Sequence, residues 1–239
     1  MALLFLHEDR EYLLEPGETL ETDLGVLEVP ETVEHGETVE THLGTEFVAR
    51  RLRGPDLFHH LERTGAPMLP RDIGLVVGLA GIQRGDHVLD AGTGTGVLAV
   101  TLGRLGATVD SYEVDPEFAE VARENVALAG VADSVTVHPG DVTEHLDEHA
   151  GLDAVTLDTG DAPDVVTAAP DLLAAGGSVA VYSPFVEDAR EVADRARTAG
   201  LENVRTLETI QREMSFDDRG TRPTTAGVGH TGYLTLGRR

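Results

Sequence analysis

The 239-residue chain contains no cysteine and no lysine. The first absence excludes a disulfide scaffold, a thiolate nucleophile and thiolate metal sites. The second leaves arginine as the whole basic complement, eighteen residues against forty-three acidic ones, for a formal net charge of −25. Such a chain repels itself at ordinary ionic strength, whereas molar salt shrinks the Debye length to about 3 Å and keeps a hydrated, carboxylate-coated surface soluble. The composition is that expected in a halophile's cytoplasm, and the acidic surface reads as a solvated face that does not argue against a nucleic-acid partner. Also lacking is any N-terminal apolar run of signal or membrane-spanning length, so a soluble, intracellular protein with no membrane partner is expected.

What is present divides the chain unevenly. The length exceeds the roughly 100–150 residues typical of one domain, so a main domain with a smaller appendage is expected. The first forty-six residues hold thirteen carboxylates and a single arginine, Arg10. Short alternating segments at Glu11 to Leu14, Gly25 to Val29 and Thr38 to Leu43, separated by glycines, predict a small antiparallel β domain over 1–53. After the dense basic cluster Arg50, Arg51 and Arg53, the Pro-rich stretch reads as a linker over 54–71.

From 72 to 239 strand and helix patterns alternate, as in stacked βαβ units around a parallel sheet, so the fold class is α/β, doubly wound and Rossmann-like. Strands are predicted at His87–Ala91, Thr108–Glu113, Ser134–His138, Leu152–Asp158, Ser178–Tyr182, Val204–Gln211 and Gly232–Leu236. Asp115-Pro116-Glu117 supplies an N-cap, an N1 proline and an acidic first turn for a helix that Gly130 ends. Further helices are predicted from about Pro163 to Ala175 and Val186 to Ala199, each closed by glycine.

The chemistry begins where the first of these strands meets Gly92-Thr93-Gly94-Thr95-Gly96-Val97, a glycine-rich turn opening a helix. Such a turn lets backbone amides approach a nucleotide, and alone it would suit a pyrophosphate. Asp90, two residues earlier, repels a pyrophosphate but attracts the ammonium and sulfonium of S-adenosylmethionine. Glu113 ends the second strand at the spacing of a ribose-binding acid. Asp141 follows the third strand, where it could accept from an adenine amino group while Val142 packs on the ring. Three acids at successive strand ends would converge outside the carboxyl edge of the sheet.

Here the sequence resembles the class I S-adenosylmethionine-dependent methyltransferases, and specifically the tRNA (adenine-N1)-methyltransferases of the T-loop, in a haloarchaeal type. The resemblance rests on Leu69-Pro70-Arg71-Asp72, Asp90 through Gly96, Ser111-Tyr112-Glu113, Gly140-Asp141, Leu157-Asp158, Gly176-Gly177 and Tyr182-Ser183-Pro184. It rests also on Arg222-Pro223 and the narrower ending Gly229-His230-Thr231-Gly232-Tyr233. It implies an N-terminal β domain, a homotetramer, and attack of adenine N1 on the sulfonium methyl with no metal. It further implies that Asp158 is the catalytic aspartate, aligning the base and stabilising developing positive charge. Arg222, His230 and Tyr233 are candidate substrate residues, and Arg50, Arg51, Arg53, Arg71, Arg212 and Arg219 candidate phosphate contacts. Departures cluster on the acceptor side. Thr159-Gly160-Asp161-Ala162-Pro163 replaces the family's proline–tryptophan segment, and Glu187 and Asp188 stand where a glutamine is expected. Two alternatives stay open: another class I methyltransferase, of precorrin or protein isoaspartyl type, and a catalytically weak RNA-binding subunit.

Overall fold

Apolar alternation in the first fifty residues builds strands, and a computed structural model describes residues 2–225 and 229–239. The N-terminal part contains β1 (Leu3–His7), β2 (Arg10–Leu14), β3 (Thr19–Thr22), β4 (Gly25–Glu28), β5 (Thr38–Glu40) and β6 (Glu46–Arg51). Four of these form an antiparallel sheet in the order β2-β1-β6-β5, and β3 and β4 pair as a separate hairpin. The continuous apolar run Ala2 to Leu6 is two-faced. Leu3 and Phe5 enter a small core with Leu14, Leu27 and Phe47, while Ala2 and Leu4 join the main core on the other side. The period of two along a strand accounts for both contacts.

The segment read as a linker is more ordered than that. It holds α1 (Gly54–His60) and the start of α2 (Pro70–Ala80). The basic cluster also lies partly within the sheet, since Arg50 and Arg51 belong to β6 and pair with Leu4 and Leu3 of β1. Pro70 at the first turn of α2 and Gly81 in the left-handed conformation after it mark that helix's ends.

The remainder alternates as its sequence pattern requires: β7 (His87–Ala91), α3 (Val97–Leu105), β8 (Thr108–Glu113), α4 (Pro116–Leu128), β9 (Val135–Pro139), β10 (Leu152–Leu157), α5 (Ala162–Leu172), β11 (Leu173–Ser183), α6 (Val186–Thr198), β12 (Glu202–Glu208), β13 (Met214–Asp217), β14 (Gly220–Pro223) and β15 (Tyr233–Arg238). Seven strands form one sheet in the order β12-β15-β11-β10-β7-β8-β9. The five from β7 to β11 are parallel, and β15 runs antiparallel between β11 and β12. Chain order reverses between β7 and β10, and a ligand crevice opens at such a switch point.

Among the differences from expectation are one helix end and one hairpin. The helix predicted to reach Ala175 ends at Leu172, because buried Leu173 turns extended to pair with Leu152. Pairing then jumps to Ala154 with Ser178, and Gly177 lies where a Cβ would come within 2.9 Å of the Leu152 carbonyl. The glycines expected to close the helix therefore shape the strand. The exposed hairpin β13–β14 was not anticipated. Its two-residue connection, Asp218-Arg219, is followed by Gly220 with φ 122°.

Tight packing between α3 and β9 generates a stability prediction. A Cβ on Gly103 would lie 2.4 Å from Cγ2 of Val135. Alanine gains about 1 kcal/mol in helix propensity, but overpacking a filled core costs about 1–3 kcal/mol. Gly103→Ala should therefore be net destabilising by about 1 kcal/mol, read as a lower urea midpoint at unchanged slope in molar salt. A raised midpoint would show that the contact relaxes freely.

Candidate active site

Three positive-φ glycines, Gly92, Gly94 and Gly96, carry the chain from β7 into α3. Gly92 is required by a close approach as well as by its φ of 84°, since a Cβ there would fall 2.1 Å from the carbonyl oxygen of Asp158. The Asp158 amide donates to the Ala91 carbonyl at 2.8 Å, so the end of β10 is fastened against the glycine turn. The Gly92 and Thr93 amides both donate to the Tyr112 carbonyl, tying the same turn to β8.

Beneath this turn lies a buried carboxylate. Asp90 is 3% exposed. Its Oδ1 accepts from the Thr156 hydroxyl and its Oδ2 from the Ser111 hydroxyl, each at 2.6 Å, and Thr93 pairs with Ser111 at 2.6 Å. Ser111 and Thr156 are the direct register partners of Asp90 on the two flanking strands. Burial pushes the Asp90 carboxyl above its ordinary range, the two hydroxyls oppose that, and the Glu113 charge adds to it. Asp90 and Thr93 thus lie one layer below the crevice and hold its floor together.

The crevice above is a cavity of about 300 Å³ whose lining includes Gly92, Gly94, Tyr112, Glu113, Asp141, Val142 and Asp158. Glu113 is 7% exposed, and its two oxygens accept from the Gly94 amide at 2.8 Å and the Asp115 amide at 3.1 Å. Oδ1 of Asp141 accepts from the amide and hydroxyl of Thr143, which holds its carboxyl below the usual range. Among the described residues Oδ2 of Asp141 has no hydrogen-bond partner, and it remains an acceptor beside the cavity. Thr95, Gly96 and Val97 are buried at the mouth of α3 rather than lining it. The Thr95 hydroxyl is a buried polar atom without a hydrogen-bond partner among the described residues.

Asp158 lies on the wall of a second cavity too, of about 310 Å³, with Tyr182, Ser183, Pro184, Asp188 and Glu191. Desolvation first, and the Asp90 charge second, push the Asp158 carboxyl up to about 6. The residue is nonetheless water-accessible, because it faces open cavities. Solvent filling them screens the shift, and exclusion of that solvent strengthens it.

The C-terminal residues singled out by sequence build the edge of this region. His230 Nδ1 contacts Glu208 at 2.7 Å, and its ring lies 4.9 Å from that of Tyr233. Between them, the Thr231 hydroxyl donates to Asp72 at 3.0 Å and accepts from Arg71 at 2.9 Å. Gly232 sits where a Cβ would be 2.5 Å from the Tyr182 ring. Arg71 is therefore held internally. So is Arg50, in a two-pronged pair with Asp56 at 2.9 and 3.0 Å. Neither is a free phosphate contact as expected. Arg219 and Arg222 share Asp217 at the hairpin, whereas Arg51, Arg53 and Arg212 are exposed and have no ion pair among the described residues. Arg222 stands on the hairpin, apart from the two cavities' linings.

Comparison with known proteins gives this arrangement a family. Residues 57–220 match the family model described as tRNA methyltransferase complex GCD14 subunit. Over 99% of its length the chain is 31% identical to the tRNA (adenine(57)-N(1)/adenine(58)-N(1))-methyltransferase TrmI of Methanocaldococcus jannaschii, 94% of which is covered. The chain belongs to this family of tRNA methyltransferases. Two solved structures share its fold over the whole chain. An S-adenosylmethionine-dependent O-methyltransferase from Thermotoga maritima has a TM-score of 0.80 at 24% identity, with 92% of it covered. The tRNA (m1A58) methyltransferase TrmI from Aquifex aeolicus has 0.75 at 20%, with 96% covered.

The residues present fit the family's cofactor, S-adenosylmethionine. Glu113 offers remaining lone pairs for a ribose diol, Asp141 an open acceptor for an amino group, and the orphaned Thr95 hydroxyl a buried polar atom at the loop. Sequence reasoning did not single out Ser111 and Thr156 as a pair. Their signal is a hydroxyl directly beside Asp90 in the register of each flanking strand, where a buried polar atom needs a partner.

A carboxylate whose folded pKa is raised destabilises the fold when ionised. That cost is absent below about pH 4 and is complete once pH has risen through about 6. Asp158→Asn should therefore raise stability at pH 7.5, by about 1 kcal/mol after solvent screening, and leave it nearly unchanged at pH 4. Thermal melts at both pH values check this, and equal shifts at both would contradict the assigned environment.

Proposed function

We propose that this protein transfers a methyl group from S-adenosylmethionine to N1 of a T-loop adenine in tRNA, at position 57, 58 or both. The observation that carries the reading is the place of Asp158, on the wall common to the cofactor cavity and to a second cavity large enough for a base. Bound S-adenosylmethionine supplies an electrophilic methyl on a sulfonium. The adenine N1 lone pair forms the new N–C bond, the C–S pair returns to sulfur, and the products are a 1-methyladenine cation and S-adenosylhomocysteine.

The chain's part is alignment and charge. Asp158, ionised above about pH 6, accepts from the base's exocyclic amino group and places negative potential where the ring becomes positive. Asp90 adds a second negative charge from below. Glu113, Asp141 and Val142, with the glycine turn from Gly92 to Val97, hold the nucleoside part of the cofactor. The target base leaves its stack to enter, and Tyr182, partly exposed in the second cavity, supplies a face for it. His230 and Tyr233 stand at the edge as steering residues. Arg51, Arg53 and Arg212 are the remaining unpaired arginines for phosphates, with Arg219 and Arg222 beside Asp217 on the exposed hairpin. Residues 1–53 form a small β appendage and 72–239 the catalytic domain.

We also read the protein as a cytoplasmic, halophilic homotetramer. Exposed Ile210, Met214 and Phe216 around the β13–β14 hairpin support burial against another subunit, and no helix among the described residues is long and apolar enough to cross a membrane.

Incubation of T-loop tRNA with the protein and S-adenosylmethionine in molar potassium chloride, followed by nucleoside mass spectrometry, should give 1-methyladenosine. Cofactor binding without a methylated nucleoside would overturn the substrate assignment. Asp158→Ala should lower kcat by about 10²–10³, the scale of losing one preorganised charge-stabilising group, with cofactor affinity changed far less. Near-wild-type turnover at saturating tRNA would remove Asp158 from the chemistry.

A further inference from the structure

Asn125 of α4 is 3% exposed and neither lines the cavity nor meets a substrate group. Its amide joins two segments distant in sequence. Oδ1 accepts from the Glu62 amide at 2.9 Å, and Nδ2 donates to the Glu62 carbonyl and to the Thr95 carbonyl, both at 2.8 Å. A single side chain thus binds both backbone groups of one residue in the stretch between α1 and α2, and with its other hydrogen grips the glycine turn. That stretch also lies over the turn, since the position of a Cβ on Gly94 is 3.9 Å from the Thr64 hydroxyl. On its other side Arg63 donates to the Phe58 carbonyl at 3.2 Å and stacks on the Phe58 ring at 5.2 Å.

We propose that Asn125 is a positioning residue that latches residues 61–65 over the cofactor turn. The latched strap and the cofactor-competent turn then form a single state. The glycine turn, tied to Tyr112 through the Gly92 and Thr93 amides and to Glu113 through Gly94, keeps conformational freedom beyond these bonds, because glycine loses the most entropy on ordering. Fixing the Thr95 carbonyl removes that freedom at the residue whose amide follows the one held by Glu113. Coupling of this kind is reciprocal: if the closed strap favours cofactor, cofactor must favour the closed strap. The proposal rests on the reading that the crevice holds S-adenosylmethionine.

The absence of lysine makes the test clean, because trypsin can cut only after arginine and Arg63 lies exposed within the strap. Cleavage after Arg63 is followed by mass spectrometry with and without S-adenosylhomocysteine, whose binding is measured separately by calorimetry. In the wild type, saturating S-adenosylhomocysteine should slow this cut about tenfold, within the usual range of coupling between two sites. In Asn125→Ala the unliganded cut should be faster, the protection lost and the affinity about tenfold weaker, with kcat at saturating cofactor within about twofold of wild type. Asn125→Asp is the second variant: it keeps the acceptor for Glu62 and loses both donations, so it should reproduce those changes if the alanine variant does not fold. Ligand binding that leaves cleavage after Arg63 unchanged, or variants with wild-type affinity and protection, would overturn the latch. Failure of the wild type to bind at all would instead overturn the reading of the crevice.

Discussion

The site depends on one buried carboxylate and the hydroxyls that satisfy it. An ionised group removed from water is costly unless its hydrogen-bonding capacity is met. Asp90 meets it with Thr156 and Ser111, its partners on the flanking strands. Three parallel strands are thereby registered at their carboxyl ends, where chain order reverses. A one-residue slip of either neighbour would turn its hydroxyl to the other face and leave Asp90 unpaired. The same interaction that sets the sheet's register places a buried carboxyl group beneath the crevice.

From that floor the rest follows by contact. Gly92 lets the end of β10 close against the turn, and this closure puts Asp158 between the two cavities. The second cavity is acidic, with Asp188 and Glu191 beside Asp158, and such a lining suits a base edge that donates hydrogen bonds and then becomes cationic. On the far side, Thr231 joins the C-terminal segment to Arg71 and Asp72 at the start of α2. Substrate-side and cofactor-side elements are therefore braced against each other through side chains, while Asn125 braces the strap from α4.

The α/β portion was legible because buried parallel strands are apolar runs and their helices carry strong end signals, such as Asp115-Pro116 before α4. The N-terminal strands were read from alternation, which found β2, β4 and β5 but not β3, β6 or β1, and in β1 two buried faces leave no alternation to see. The β13–β14 hairpin escaped because its side chains are largely exposed, with Met214 and Phe216 the large apolar residues among them. In the site, Gly92, Gly94, Glu113, Asp141, Val142 and Asp158 were all expected and all line the first cavity. Asp90 was expected there too and lies below it. Arg50 and Arg71 looked like phosphate ligands because sequence displays charge but not the carboxylate or hydroxyl that occupies it. Asn125 was invisible for the same reason: its partners lie 63 and 30 residues away.

The most direct measurement of the central claim is the pH dependence of kcat/KM for tRNA methylation, which reports the ionisations of the free enzyme. The expected result is an acid limb, with the rate falling as the Asp158 carboxyl, raised above its ordinary range by desolvation and the Asp90 charge, takes up its proton. Asp158→Asn, much slower at every pH, is also expected to lack that limb although Asp90 is still present. A limb retained unchanged in Asp158→Asn would contradict the claim, because the titrating group would then be a different one.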